Sequence, residues 1–231
     1  MKLLFISLGC DKNLVDSEEM LGMLAADGHQ IVDDEDEAEV IIINTCCFIG
    51  DAKEESVNTI LEMAEKKKTG TCKVLIVTGC MAQRYKKEIS EEIPEVDAIL
   101  GTTSYGEIVK AVKEAQAGRH FEEYKSIDYL PGISGKRMLT TGGHFAYLKI
   151  AEGCDKHCTY CIIPKLRGSY RSVPMEDLVK EASSLAQQGV KELILVAQET
   201  TVYGKDLYGK KSLHILLKEL CKIKGIRWIR I

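Results

Sequence analysis

The sequence predicts an α/β protein in two parts. The first is an open parallel sheet with flanking helices over residues 1–125. After a linker over 126–143, residues 144–231 form the first part of a partial (β/α) barrel. Three observations carry this prediction. Apolar runs alternate with amphipathic helical stretches, the pattern of parallel strands joined by crossover helices. The runs "EVIIINTC" and "KVLIVTGC" are apolar without alternation, as strands buried on both faces are. The charge also changes sign along the chain: 14 basic against 25 acidic residues in 1–125, and 17 against 10 in 126–231, net −11 and +7. Two parts of opposite sign imply two domains with different partners.

In chain order, "KLLFISLG" is a first strand, too short for a helix. "SEEMLGMLAADG" is a helix, with Ser17 placed to cap it, Glu18 and Glu19 in its first turn and Gly28 ending it. "EVIIINTC" is the second long strand, "AKEESVNTILEMAEKKK" an amphipathic helix with lysines in its last turn, and "KVLIVTGC" a third strand. "AQRYKKEISEEI" is helical up to Pro94, "AILG" is a short strand and "YGEIVKAVKEAQAG" a further helix. "YLPGISGKRMLTTGGH" is linker by composition. "FAYLKIAEGC" then opens a second series, followed by a helix over "MEDLVKEASSLAQQG" after Pro174, the strand "KELILVAQE", the helix "LHILLKELCKI" and a strand at "RWIRI". Three strands of such a series do not close a barrel, so the expectation is a fragment of a longer protein.

No apolar run approaches a membrane span of about 18 residues, and the N-terminus has no small-residue cleavage site. Nine cysteines without a secretory signal argue for a cytoplasmic protein and for metal or redox chemistry rather than a disulfide framework.

The cysteines fall into two sets. "GCDKHCTYCIIP" places Cys154, Cys158 and Cys161 within eight positions. "CTYC" alone fits a redox pair or half a zinc site, and His157 could complete a Cys3His zinc site. Three thiolates also suit a 4Fe-4S cubane, leaving one of its four irons open to a ligand. The set follows a strand, on the face where α/β barrels bind ligands. The second set, Cys10, Cys46 and Cys80, closes "LFISLGC", "VIIINTC" and "VLIVTGC", each ahead of a helix. Strand ends of an open parallel sheet face one crevice, so these three can converge. Each alone could be a small buried hydrophobe, but three at equivalent strand ends favour a second three-thiolate set. Cys47 rivals Cys46, but neighbours on an extended chain point to opposite sides, so one of them is a ligand. Cys72 in a turn and Cys221 in a helix core read as structural.

CxxxCxxC after a first barrel strand, with Tyr160 before its last cysteine, resembles the radical S-adenosylmethionine (SAM) enzymes. "GCDKNLVDSE", "NTC" followed by "AKEES", "TGCMAQRY", "YLKIAEGCDKHCTYCIIPKLRGSYRS" and "LVAQETTVYG" resemble the radical SAM methylthiotransferases over nearly the whole chain. Within them, "GCDKNLVDSE" and "AQETTVYG" resemble the branch that modifies an aspartate of a small-subunit ribosomal protein. The tRNA-modifying branch carries Gln-Met in place of Asp11-Lys12. Cys47-Phe48 departs from that family's Gly-Phe.

The resemblance implies two 4Fe-4S clusters and SAM as cofactors. Cys154, Cys158 and Cys161 would hold the cluster that cleaves SAM to a 5'-deoxyadenosyl radical. Cys10, Cys46 and Cys80 would hold a second cluster carrying the sulfur to be transferred. The product would be a methylthio group on the β-carbon of the aspartate. It places Tyr160, Gln198 and Glu199 against SAM, though Gln198 and Glu199 could also be a generic polar strand end. Lys165, Arg167 and Arg171 make a basic loop beside the cysteines that could pair with a SAM or substrate carboxylate or simply be solvated. An electron donor is a required partner, and RNA is an expected one through a missing C-terminal domain. An acidic first domain suits a basic ribosomal protein better than tRNA phosphates. A tRNA adenosine methylthiotransferase and a non-catalytic metal-binding protein are the alternatives.

Overall fold

A computed structural model describes all 231 residues, Met1–Ile231. They divide into two compact units, Met1–Pro131 and Gly132–Ile231. The first contains β1 (Lys2–Ser7), α1 (Asp11–Ala26), β2 (Gln30–Ile31), β3 (Val40–Thr45), α2 (Gly50–Thr69), β4 (Val74–Gly79), α3 (Cys80–Arg84), α4 (Lys86–Glu92), β5 (Ala98–Leu100), α5 (Ile108–Gln116) and β6 (Phe121–Glu123). All six strands are parallel, in the order β2-β1-β3-β4-β5-β6. The centre is β3 beside β4, and every residue of both is buried. Their side chains alternate between two helical layers. Leu3, Val40, Ile42, Val74 and Ile76 pack with Met20 and Leu24 of α1 and with Ile108, Ala111 and Val112 of α5. The alternate residues Ile41, Ile43, Leu75 and Val77 face the side covered by α2.

The chain leaves β1 for β2 on one side and then returns to place β3 on the other. The strand order therefore reverses between β1 and β3, and the crevice at such a reversal is where doubly wound sheets bind ligands. Cys10 follows β1 and Cys46 follows β3, so they flank it.

The second unit contains β7 (Phe145–Lys149), β8 (Ala151–Glu152), α6 (Ile163–Arg167), β9 (Arg171–Ser172), α7 (Met175–Gln187), β10 (Glu192–Val196), α8 (Lys205–Tyr208), α9 (Leu213–Leu220) and β11 (Trp228–Arg230). β7, β10 and β11 form a parallel sheet in the order β11-β10-β7, and β8 and β9 form a small antiparallel ribbon. The linker's latter part belongs to this unit: Arg137 donates to Glu181 of α7 and to the Tyr147 carbonyl, each at 2.7 Å.

Several elements differ from expectation. α1 begins at Asp11, with Cys10 as its N-cap, so Ser17 lies inside the helix. Ser17 donates to the Asn13 carbonyl one turn back and accepts from Asn44 Nδ2, so it ties helix to sheet instead of capping. The helix before Pro94 breaks at Tyr85 into α3 and α4. Phe121–Glu123, to which the sequence pattern assigns no element, adds a sixth strand. The strand through "FAYLKIAE" breaks at Ile150, and its last two residues pair instead with β9. Cys221 is not helix core: it is the exposed C-cap of α9.

Below the CxxxCxxC loop lies a buried ion cluster. Glu152 accepts from Lys149 Nζ at 2.7 Å and from Arg167 Nη1 at 3.4 Å, and all three residues are buried. Removing one member of a buried ionic set strands the others without a counter-charge. Glu152→Ala should therefore destabilise the protein by about 3–5 kcal/mol, read from denaturant midpoints. Loss below about 1 kcal/mol would mean that water already compensates the two cations.

Candidate metal and cofactor sites

The first cysteine set is assembled by the ends of three adjacent strands. Cys10 caps α1, Cys46 follows β3 and Cys80 opens α3. Cys10 and Cys80 thus stand at the starts of helices. Gly9 and Gly79, each immediately before a cysteine, have φ of +93°. A Cβ on Gly9 would lie 2.6 Å from Cys46 Cβ and 2.9 Å from Cys46 Sγ, so the loops bearing Cys10 and Cys46 are in direct contact. A Cβ on Gly79 would lie 2.5 Å from the Thr45 carbonyl oxygen, which joins the Cys80 turn to the Cys46 strand. Cys80 Sγ is 4.0 Å from Asn13 Oδ1. The structure thus brings the three loops together, on one unit, at the strand-order reversal.

Cys46 and Cys47 diverge. The Cys46 backbone is clamped by Ser56, whose Oγ accepts from the Cys46 N–H at 3.0 Å and donates to its carbonyl at 2.8 Å. Cys47 Sγ donates to the Cys80 carbonyl at 3.3 Å, and burial pushes its thiol up to about 11. A thiol held protonated and already bonded is a poor ligand. Cys46→Ala should remove the metal of this set while Cys47→Ala keeps it, measured as iron per chain after anaerobic reconstitution. The opposite result would transfer the role to Cys47. Cys72 is buried, with Sγ 3.4 Å from the Val74 carbonyl oxygen.

The second set sits on a loop whose base is stitched shut. The ribbon pairs Ala151 with Ser172 and Glu152 with Arg171, and Cys154 N–H donates to the Gly168 carbonyl at 3.1 Å. Gly153 has φ of +72°, and a Cβ there would lie 1.9 Å from the Ser169 carbonyl oxygen. A tight turn from Cys161 N–H to the Cys158 carbonyl, 2.9 Å, shapes the outer end, and His157 adopts a left-handed conformation with φ of +46°. Asp155 accepts from the Tyr170 N–H at 2.9 Å. Cys154 and Cys161 are half-buried and Cys158 is exposed.

Gln198 and Glu199 lie just past β10, and the structure brings Glu199 to the cysteine loop through an ion pair with Lys156. That ammonium, with the N–H and hydroxyl of Thr201, holds the Glu199 carboxyl down at about 2. Tyr160 is 91% exposed and so fully available to a ligand. The expected basic loop does not form as such. Lys165 is exposed, but Arg167 is buried against Glu152, and Arg171 donates to the Arg167 and Ser169 carbonyls. Arg167 is committed to structure because its guanidinium neutralises a buried carboxylate, so it is not placed to meet a substrate carboxylate.

The donor chemistry fits iron–sulfur ligation: each triplet offers three thiols, all nine cysteines are unpaired, and the loops bearing them are fixed by backbone hydrogen bonds. No three His, Cys, Asp or Glu side chains are gathered tightly enough for a single ion. Asn13, Ser56 and Lys156 make contacts at the cysteine-bearing turns that the sequence did not single out. Asn13 and Lys156 stood inside "GCDKNLVDSE" and "GCDKHCTYC", and the Gly-Cys pairs at 9–10, 79–80 and 153–154 were the readable sign of tight turns.

Comparison with known proteins agrees with this division. Residues 2–101 match the family described as "Uncharacterized protein family UPF0004", and residues 148–231 match the "Radical SAM superfamily". The latter implies a 4Fe-4S cluster and SAM. Over all 231 residues the chain is 65% identical to the "Ribosomal protein uS12 methylthiotransferase RimO" of Lachnoclostridium phytofermentans and 54% identical to that of Clostridioides difficile, covering 52% of each. The chain therefore spans about half the length of these curated relatives. Among solved structures it resembles the radical S-adenosylmethionine methyltransferase TsrM from Kitasatospora setae, with TM-score 0.60 and 13% identity, covering 98% of this chain and 53% of that one. It also resembles the cobalamin-dependent S-adenosylmethionine radical enzyme OxsB, with TM-score 0.56 and 14% identity, covering 98% of this chain and 38% of that one. At such identities these two likenesses concern the fold. No helix is long and apolar enough to cross a membrane.

Proposed function

We propose that this chain is part of a radical SAM methylthiotransferase that adds a methylthio group to the β-carbon of an aspartate in the small-subunit ribosomal protein uS12. The observation that carries the proposal is the pair of separate cysteine triplets, one on each compact unit. Cys154, Cys158 and Cys161 would hold the 4Fe-4S cluster of the radical SAM unit, and Cys10, Cys46 and Cys80 a second one. When bound, the two clusters supply one-electron cleavage of SAM and a sulfur atom for transfer.

The chain's own residues do the positioning. The stitched base of the 153–170 loop fixes where three thiols are offered, and the Lys156–Glu199 pair holds that loop to the end of β10. In this reading Glu199, Gln198 and Tyr160 are the polar and aromatic groups that meet SAM, with the Glu199 carboxylate held ionised by Lys156 and able to exchange that ammonium for the one on SAM. Ser56 and the glycine turns at Gly9 and Gly79 hold the three strand-end thiols. The acidic balance of the first unit suits a basic protein substrate.

The test is a protein of the relatives' full length, reconstituted anaerobically with iron and sulfide and given SAM, a one-electron reductant, and either uS12 or tRNA. Peptide mass spectrometry should find the methylthio mass on one uS12 aspartate and no new modified nucleoside in the tRNA. A modified adenosine with an unmodified uS12 would move the protein to the tRNA branch. Iron-loaded protein that modifies neither would leave it a binding protein.

A further inference from the structure

The three strand-end cysteines lie far apart in sequence, so something must set their mutual placement. Backbone ladders fix β1, β3 and β4, but the cysteines lie beyond the ladders, on the turns. One side chain reaches all three turns. Asn13, the third residue of α1, is 1% exposed. Its Nδ2 donates to the Leu8 carbonyl at 3.0 Å and to the Thr45 carbonyl at 2.9 Å. Leu8 is two residues before Cys10, and Thr45 directly precedes Cys46. Its Oδ1 lies 4.0 Å from Cys80 Sγ.

The orientation of this amide follows from its partners. Two carbonyls both demand an N–H donor, which a primary amide supplies at its nitrogen, so the oxygen must face Cys80. Asn13 is itself held from the other side. Its carbonyl accepts from Asn44 Nδ2 and from Ser17 Oγ, each at 2.9 Å, while the Asn44 carbonyl accepts from the Leu8 N–H at 2.9 Å. Asn44 is also 1% exposed. No other standard side chain of this length presents two donors and an acceptor from a single planar group.

We infer that Asn13 is the positioning residue that holds the Cys10, Cys46 and Cys80 loops at the mutual spacing a cluster requires. The inference rests on the proposal that these cysteines are ligands. Supporting residues of this kind typically change metal affinity by 10–100-fold when removed.

The test uses the complete chain, reconstituted anaerobically with iron and sulfide. Two clusters correspond to about eight irons. Asn13→Ala should fall to about four irons, as Cys46→Ala does, with an unchanged far-ultraviolet circular dichroism spectrum. Asn13→Asp has the same shape but no donor for the two carbonyls and adds a negative charge. It should keep the fold and shift the reduced-state electron paramagnetic resonance signal of one cluster while leaving the other's unchanged. A lower melting temperature with iron and both signals as in the wild type would make Asn13 merely structural and overturn the inference. Full iron in Asn13→Ala beside half iron in Cys46→Ala would overturn it while sparing the two-cluster reading, whereas full iron in both variants would sink that reading. Should Asn13→Ala fail to fold, the wild-type chain decides. The side-chain amide protons of Asn13 should exchange with solvent far more slowly than those of exposed Asn58, and equal rates would overturn the inference.

Discussion

In an enzyme of the relatives' full length, Cys154→Ala should abolish formation of 5'-deoxyadenosine from SAM. The combined change Cys10→Ala, Cys46→Ala and Cys80→Ala should leave that reaction in place and stop methylthio transfer. The two triplets differ in what surrounds them. Cys154, Cys158 and Cys161 share one loop with Lys156, whose ammonium pairs with Glu199 at the end of the neighbouring strand, so three thiols and a carboxylate that binds an ammonium group lie side by side. Around the strand-end triplet, the amides of Asn13 and Asn44 and the hydroxyl of Ser56 tie the cysteine-bearing turns to one another. Those bonds hold the thiols in place. High-performance liquid chromatography of 5'-deoxyadenosine and mass spectrometry of the substrate separate the two outcomes. Methylthio transfer at the wild-type rate by the N-terminal triple variant would make those cysteines structural.

Gly153→Ala should be the most damaging single methyl group in the second unit. A left-handed backbone costs a non-glycine residue about 1–2 kcal/mol. The added Cβ would also lie 1.9 Å from the Ser169 carbonyl oxygen and 2.5 Å from that of Gly168, both backbone atoms that cannot rotate away. Relief requires opening the base of the loop and losing the hydrogen bond from Cys154 N–H to Gly168, so the total should reach about 3 kcal/mol or more. Gly143→Ala separates strain from contact, since Gly143 has φ of +82° and an added Cβ would meet nothing within 4 Å. It should cost only the strain, about 1–2 kcal/mol, and leave iron binding intact. Equal effects in the two variants, by thermal melting and iron content, would refute the close approach at Gly153.

The central strands were legible because β3 and β4 are buried on both faces and so carry uninterrupted apolar runs. The cysteine positions were legible because each closes such a run. The start of α1 was not, because its first turns bury Lys12, Asn13, Asp16 and Ser17. Polar residues placed for a network do not produce the apolar period that marks a helix. The break at Ile150 was hidden for a related reason: "FAYLKIAE" is apolar enough for one strand, and only pairing with β9 divides it. Phe121–Glu123 is too short to show a period. Arg167 looked like part of a solvated basic loop because its counter-charge, Glu152, lies fifteen positions earlier. The Lys156–Glu199 pair spans a still longer separation. Cys221 has apolar neighbours, but the helix ends there and turns it outward.

The two triplets also differ in how far apart the chain carries them. Cys154 and Cys161 are seven residues apart, whereas Cys10 and Cys80 are seventy apart. Closing the longer span on a common ligand in an unfolded chain costs about 2 kcal/mol more, from the tenfold ratio of lengths alone. The short loop can therefore collect iron while the rest of the chain is still being ordered. The strand-end set exists only once three crossovers have stacked β1, β3 and β4 in register. On the proposed two-cluster reading, metal uptake there would report completed folding, and the free energy of that second cluster would add to the stability of the whole parallel sheet, while that of the first would add chiefly to one turn.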